Sequence, residues 1–161
     1  MIKDIEAVVL RNILSAVPFF LELVPEELDR VIAHSQLVTY PKDAVFFREG
    51  DPGEALYIVV DGSVRISKNV PGARQESMAF IERGGCFGEM ALLDEFPRSA
   101  TATAHQECRV LFMDKRAFLE LLDDDPVIGR KILWSFSRTL SVRLRETTDR
   151  IVALFAIVRP F

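Results

Sequence analysis

Little in this sequence lends itself to metal or covalent chemistry: its 161 residues include two cysteines, Cys86 and Cys108, two histidines, His34 and His105, and one tryptophan. Neither pair has metal-ligand spacing, so the histidines read as ordinary surface or hydrogen-bonded side chains and the cysteines as reduced thiols of core or loop. Positive charge is not in excess either. The formal net charge of −4 argues against a chain that holds nucleic acid chiefly by neutralising phosphates. Long apolar runs are also missing: the longest, Ile151 to Val158, is eight residues, where a bilayer span needs about 20. Asp4 and Glu6 stand where a secretory signal would have a basic, acid-free lead. The expectation is a soluble, cytoplasmic protein without metal, membrane or nucleic-acid partner, whose hydrophobic content of 49% fills one core.

What is present changes character along the chain. Near the start, apolar Ile5, Val8, Val9, Ile13 and Ala16 recur with helical period, and Pro18 ends the run. "VPEELDRVIAHS" then opens a second helix, with Pro25 in its first turn and Glu26 and Glu27 at the positive end of the helix dipole. After Gln36 the segments "LVTY", "AVFF", "ALYIVV", "SVRIS", "SMAFI", "ATATA" and "RVLFM" are short and β-prone, separated by turn-rich stretches. Seven or eight such strands predict a sandwich or barrel. Asp61-Gly62, between two of them, predicts a two-residue hairpin turn. Helix returns at "DKRAFLELLDDD", capped by Asp114, and again from Pro126 behind the cap Asp125. In this long last helix Leu133, Phe136, Leu140, Leu144, Ile151, Leu154 and Val158, with Thr147 in series, are spaced by threes and fours. That seam suits a partner helix in a homodimer, or else packing back onto the strands.

The stretch "GGCFGEMALLDEFPRSATATA", Gly84 to Ala104, sets Glu89 and Arg98 among apolar neighbours. A buried Arg98 needs an anion to offset its desolvation, and a protein carboxylate or a ligand phosphate would serve. Gly88 permits close backbone approach, and Glu89 to Leu93 predict one helical turn whose free amides face an anion. Glu89 itself would repel that anion; its carboxylate suits hydroxyl groups such as those of a ribose. Phosphate plus ribose means a nucleotide. Spacing alone leaves open that Glu89 and Arg98 simply pair with each other.

"FGEMALLDEFPRSATATA" resembles the phosphate-binding cassette of cyclic nucleotide-binding domains: F-G-E, a small residue two places after the Glu, then P-R-[small]-A-T. "VPFFLELVPEELDRVI" is similar to that family's N-terminal helices, and "YPKDAVFFREGDPGEALYIVVDGSVRI" to its first barrel strands, with Gly50, Gly53 and Gly62 as turn formers. The resemblance implies one domain over 1–161, mainly β with flanking helices. Its parts would be N-terminal helices over 1–36, a double-stranded β-helix (jelly-roll) barrel of about eight strands over 37–114 with the cassette at 84–104, and C-terminal helices over 115–161.

By the same resemblance Glu89 accepts the ribose 2′-hydroxyl and Arg98 pairs with the cyclic phosphate. The amides near Gly88, Met90 and Ala91, with the Ser99 amide and hydroxyl, complete the cradle. "VRLRETTDRIVAL" resembles the base-contacting helix of the family's catabolite activator branch, in which Thr147 and Thr148 would offer one hydroxyl from their own subunit and one from the partner. Without that resemblance, two helical threonines are solvated or bonded back to the preceding turn. The implied ligand is cAMP, favoured over cGMP, although a hydroxyl at Ser99 also resembles cGMP-selective domains. The chain ends at "IVRPF", so the expectation is a non-catalytic sensor without a helix-turn-helix, freestanding or part of a longer protein, acting on an unidentified effector. The alternatives are an adaptor of the same fold that no longer binds nucleotide, and a cupin-like jelly-roll enzyme, which would need the clustered histidines this chain lacks.

Overall fold

The computed structural model describes residues 2–70, 72, 76–94 and 96–158. Helices α1 (Ile2–Leu14) and α2 (Pro25–Ala33), with a 3-10 turn at Pro18–Phe20 between them, precede the strands. These are β1 (Gln36–Tyr40), β2 (Val45–Phe47), β3 (Ala55–Asp61), β4 (Ser63–Lys68), β5 (Glu76–Glu82), β6 (Cys86–Phe87), β7 (Thr101–Ala104) and β8 (Cys108–Asp114). One helical turn, α3 (Met90–Leu93), lies between β6 and β7; α4 (Lys115–Asp124) and the 33-residue α5 (Pro126–Val158) follow β8. The strands form two antiparallel sheets, ordered β1-β8-β3-β6 and β2-β7-β4-β5. This is the expected β barrel with flanking helices.

The run "ALYIVV" in β3 lacks polar alternation because the strand is buried on both faces. Successive side chains of a strand point to opposite sides. Ala55, Tyr57 and Val59 therefore join the barrel interior with Phe87, Ala102, Ala104 and Val110. Leu56, Ile58 and Val60 join a second core with Leu14, Phe19, Phe20, Phe118 and Phe136 of the helical layer. The helix starts follow their caps. Asp114 Oδ1 accepts from the Ala117 amide at 2.7 Å, and Asp125 Oδ1 from the Val127 and Ile128 amides at 3.0 and 3.2 Å. Ion pairs of Lys131 with Glu27 and of Arg30 with Asp125 bind α2 to α5.

Two expectations are corrected. Asp61-Gly62 is not a hairpin turn, because β3 pairs with β6 and β8 while β4 pairs with β5 and β7, so the chain crosses here from one sheet to the other. Gly62 has φ +91°, and a Cβ on it would clash with the Glu107 carbonyl oxygen, so glycine is needed for the close passage. Phe136 does not belong to the exposed seam. It is 1% exposed, stacked on Phe19 with ring centroids 3.7 Å apart and set edge-on to Phe118. Leu133, Leu140, Leu144, Ile151 and Leu154 are exposed; the side chains of Val158 and Ile5 lie outside the described residues. Among the described residues no helix is long and apolar enough to cross a membrane.

Candidate functional site

The stretch between β6 and β7 folds back so that its two ends meet. Gly88, at φ +78°, turns the chain out of β6 into α3, and its carbonyl accepts from Arg98 Nη1 at 2.8 Å. Arg98 Nη2 donates to the Ala55 carbonyl at 2.9 Å, and the guanidinium carbon stands 4.1 Å from the centroid of the Phe47 ring. The Arg98 backbone is pinned as well: its carbonyl accepts from the Gly50 amide at 2.9 Å and its amide donates to the Asp51 carbonyl at 2.8 Å. A methyl group on Gly88 would sit 2.7 Å from Arg98 Nη1 and 2.9 Å from the Ala55 oxygen, so this glycine gives the guanidinium its room.

Arg98 is 5% exposed, yet among the described residues it forms no ion pair with a carboxylate and its buried Nε has no hydrogen-bond partner. Burial pulls its pKa below the usual arginine value, while the neighbouring Tyr57 and Glu89 act the other way. An arginine so placed remains a cation, so the desolvated charge is left for an anion to meet.

Glu89, 6% exposed, takes a different partner: Arg143 of α5 donates to its carboxylate. The Glu89–Arg98 pair that spacing allowed is therefore not formed. Burial is the largest single influence and works against the Arg143 charge, but the bond to Glu89 together with the charges of Glu89, Cys86 and Glu146 outweighs it and raises its pKa. Sequence reasoning missed Arg143. The signal was its position one helical turn before Thr147, but its partner is 54 residues away in sequence, so no local pattern connects the two.

Between these groups lies a cavity of about 460 Å³. Ile66, Ala79, Ile81, Cys86 and Phe87 form an apolar wall, and Gly88, Glu89, Met90, Asp94, Arg98, Ser99 and Arg143 are also among the lining residues. That size and mixture suit a small organic ligand with an anionic end. The Glu89 and Met90 amides make no backbone hydrogen bond among the described residues. Ala91 is in the same turn, its side chain outside the described residues.

Residues 37–125 match the family described as the cyclic nucleotide-binding domain. The chain belongs to that family. This cyclic nucleotide-binding domain is 36% identical over 129 residues to the cyclic AMP receptor protein of Thermus thermophilus, covering 80% of this chain but only 58% of that relative. A crystal structure of a cyclic nucleotide-binding domain from Methylobacillus flagellatus superposes with a TM-score of 0.80 at 29% identity, covering 93% of this chain and 84% of that one. The regulatory domain of Toxoplasma gondii PKA, crystallised with cAMP, gives a TM-score of 0.68 at 32% identity, covering 74% of this chain and 45% of that one.

Within the domain, Gly88, Glu89, Met90, Arg98 and Ser99 meet around one cavity. Thr147 and Thr148 are not among its lining residues. Both are exposed, and their hydroxyls donate to the Arg143 and Leu144 carbonyls at 2.8 and 2.9 Å. His34 Nδ1 is 2.8 Å from the Arg30 carbonyl oxygen, and His105 stands edge-on to Phe80. No group of three His, Cys, Asp or Glu among the described residues could hold a metal ion.

Cys86 and Cys108 are both free and buried. Burial, aided by the Glu89 charge, pushes the Cys86 thiol up to about 12 from 9.0. The folded chain thus holds this proton more tightly than the unfolded one, and the associated stability is lost as pH rises from about 9 towards 12. Native protein at pH 8 is expected to resist iodoacetamide at Cys86 while urea-unfolded protein reacts; equal labelling of both by mass spectrometry would contradict this.

Proposed function

We propose that this domain binds a purine 3′,5′-cyclic monophosphate, cAMP in preference to cGMP, as a non-catalytic sensor that relays ligand binding through α5 to an effector protein. The reading rests on Arg98: a cation 5% exposed, held by two carbonyls and a phenyl face, lining the cavity and with its buried Nε unpartnered among the described residues. The singly charged cyclic phosphate meets that cation through charge-assisted hydrogen bonds. Glu89 accepts the ribose 2′-hydroxyl, and the bond from Arg143 holds its carboxylate in place. The amides of the Gly88 to Ala91 turn and the Ser99 amide and hydroxyl complete the anion cradle. Free thiols fit a reducing compartment such as the cytoplasm.

The preference for cAMP is supported by the cyclic AMP receptor protein and the cAMP-bound regulatory domain among the relatives. In this reading Thr147 and Thr148 meet the purine only when a second copy is present, each site drawing on the last helix of both chains of a homodimer.

Competition titration of cAMP and cGMP against wild type, Ser99→Ala and the Thr147→Val/Thr148→Val double variant tests this. Wild type is expected to hold cAMP more tightly. The double variant should lose about 0.5 to 1.5 kcal/mol per base contact with phosphate binding retained. Tighter cGMP binding, lost in Ser99→Ala and untouched by the valines, would overturn both ligand and base contacts. Cyclic nucleotide hydrolysed on incubation with the protein would overturn the non-catalytic role.

A further inference from the structure

Lys68, the last residue of β4, reaches from outside the cavity to the segment that carries Arg98. Its ammonium donates to the Ser99 carbonyl at 2.8 Å and stands 3.6 Å from a carboxylate oxygen of Glu49. Glu49 is itself fixed on both sides: its other carboxylate oxygen accepts from the Asn69 amide at 3.0 Å, and its own amide donates to Thr101 Oγ1 at 3.0 Å. The β2–β3 connection, the end of β4 and the start of β7 are thereby tied together directly behind Ser99 and Ala100, which line the cavity.

The peptide bonds here are trans, so each N–H is directed opposite to its C=O. With the Ser99 carbonyl committed to Lys68, the N–H of the same peptide, that of Ala100, is turned to the other side. Among the described residues it makes no backbone hydrogen bond outside the strands. The Arg98–Ser99 peptide is oriented in the same manner by the Gly50 amide on the Arg98 carbonyl. A carbonyl that accepts from a cation also polarises its peptide, which makes the N–H a stronger donor.

We propose that Lys68 is a positioning residue for anion binding: it holds and polarises the Ser99–Ala100 peptide so that the Ala100 N–H donates to one exocyclic oxygen of the bound cyclic phosphate. The role rests on the cyclic nucleotide reading of the cavity. Lys68 does not touch the ligand. It acts through the backbone, and its exposed, solvated side chain carries no core packing.

The experiment titrates wild type, Lys68→Met and Lys68→Arg with cAMP and with the two phosphorothioate diastereomers of cAMP, in which sulfur replaces one exocyclic oxygen or the other. Lys68→Met is expected to bind cAMP roughly tenfold more weakly at unchanged ligand-free Tm. Sulfur accepts hydrogen bonds poorly, so wild type discriminates against the diastereomer that presents sulfur to Ala100. That discrimination should narrow about threefold or more in Lys68→Met and return in Lys68→Arg. Unchanged cAMP affinity in Lys68→Met overturns the role of Lys68 alone, as does an equal loss for both diastereomers with a lowered Tm. Wild type that binds none of the three ligands overturns the cavity reading and the role of Lys68 with it.

Discussion

Arg98→Ala is expected to bind cAMP at least about thirtyfold more weakly than wild type, a loss of about 2 kcal/mol or more by isothermal titration. The side chain is the one cation in the cavity wall without a described carboxylate partner, and it alone meets the formal charge of the ligand. Truncation also strips the Gly88 and Ala55 carbonyls of their donors, so a ligand-free Tm a few degrees lower should accompany the loss. Arg98→Lys keeps the charge but not the fork that spans two carbonyls, and should fall between the two. Glu89→Ala should cost less affinity than Arg98→Ala, because a hydroxyl contact is weaker than a charge contact. Equal affinities of wild type and Arg98→Ala would end the phosphate assignment.

In urea unfolding, Phe136→Ala should lose about 3 to 5 kcal/mol, the largest stability effect we foresee for a single side chain. Its ring lies flat on Phe19 and edge-on to Phe118 in the core of the helical layer, so truncation removes both aromatic contacts and leaves a void. Leu144, two turns further along the same helix and 68% exposed, should behave in the opposite way. Leu144→Glu is expected to leave the unfolding of the single chain nearly unchanged while halving the mass seen by light scattering at micromolar concentration. A helix that presents Leu140, Leu144, Ile151 and Leu154 to solvent leaves an apolar face that a second copy would cover in the proposed homodimer. Wild type that scatters as a monomer would remove the homodimer; a Phe136→Ala loss under about 1 kcal/mol would mean that the aromatic stack carries little of the packing.

The contrast between these two positions shows what a sequence can and cannot convey. Threes-and-fours spacing identifies the apolar side of α5, but not where the chain's own core stops covering it, because Phe19 and Phe118 arrive from far along the chain. Local chemistry was legible: Asp114 and Asp125 cap the helices they precede, and the unbroken apolar run in β3 reflects burial on both faces. The cassette was legible because Gly88, Glu89, Arg98 and Ser99 lie within one short segment. Pairing across distance was not. Asp61-Gly62 announces a turn but not which sheet comes next, β6 is two residues hidden among glycines, and Arg143 meets Glu89 only once the barrel and α5 are assembled.

Because β3 lends one face to the barrel and the other to the helices, neither layer can melt and leave the other an intact core. The domain should denature as a single cooperative unit, and any ligand held by the folded barrel raises the melting point of the helical layer by mass action. Trp134, the lone tryptophan, sits on α5 away from the cavity lining. Its fluorescence during a thermal ramp therefore becomes a built-in gauge of what the barrel has bound, with no label added to the cassette.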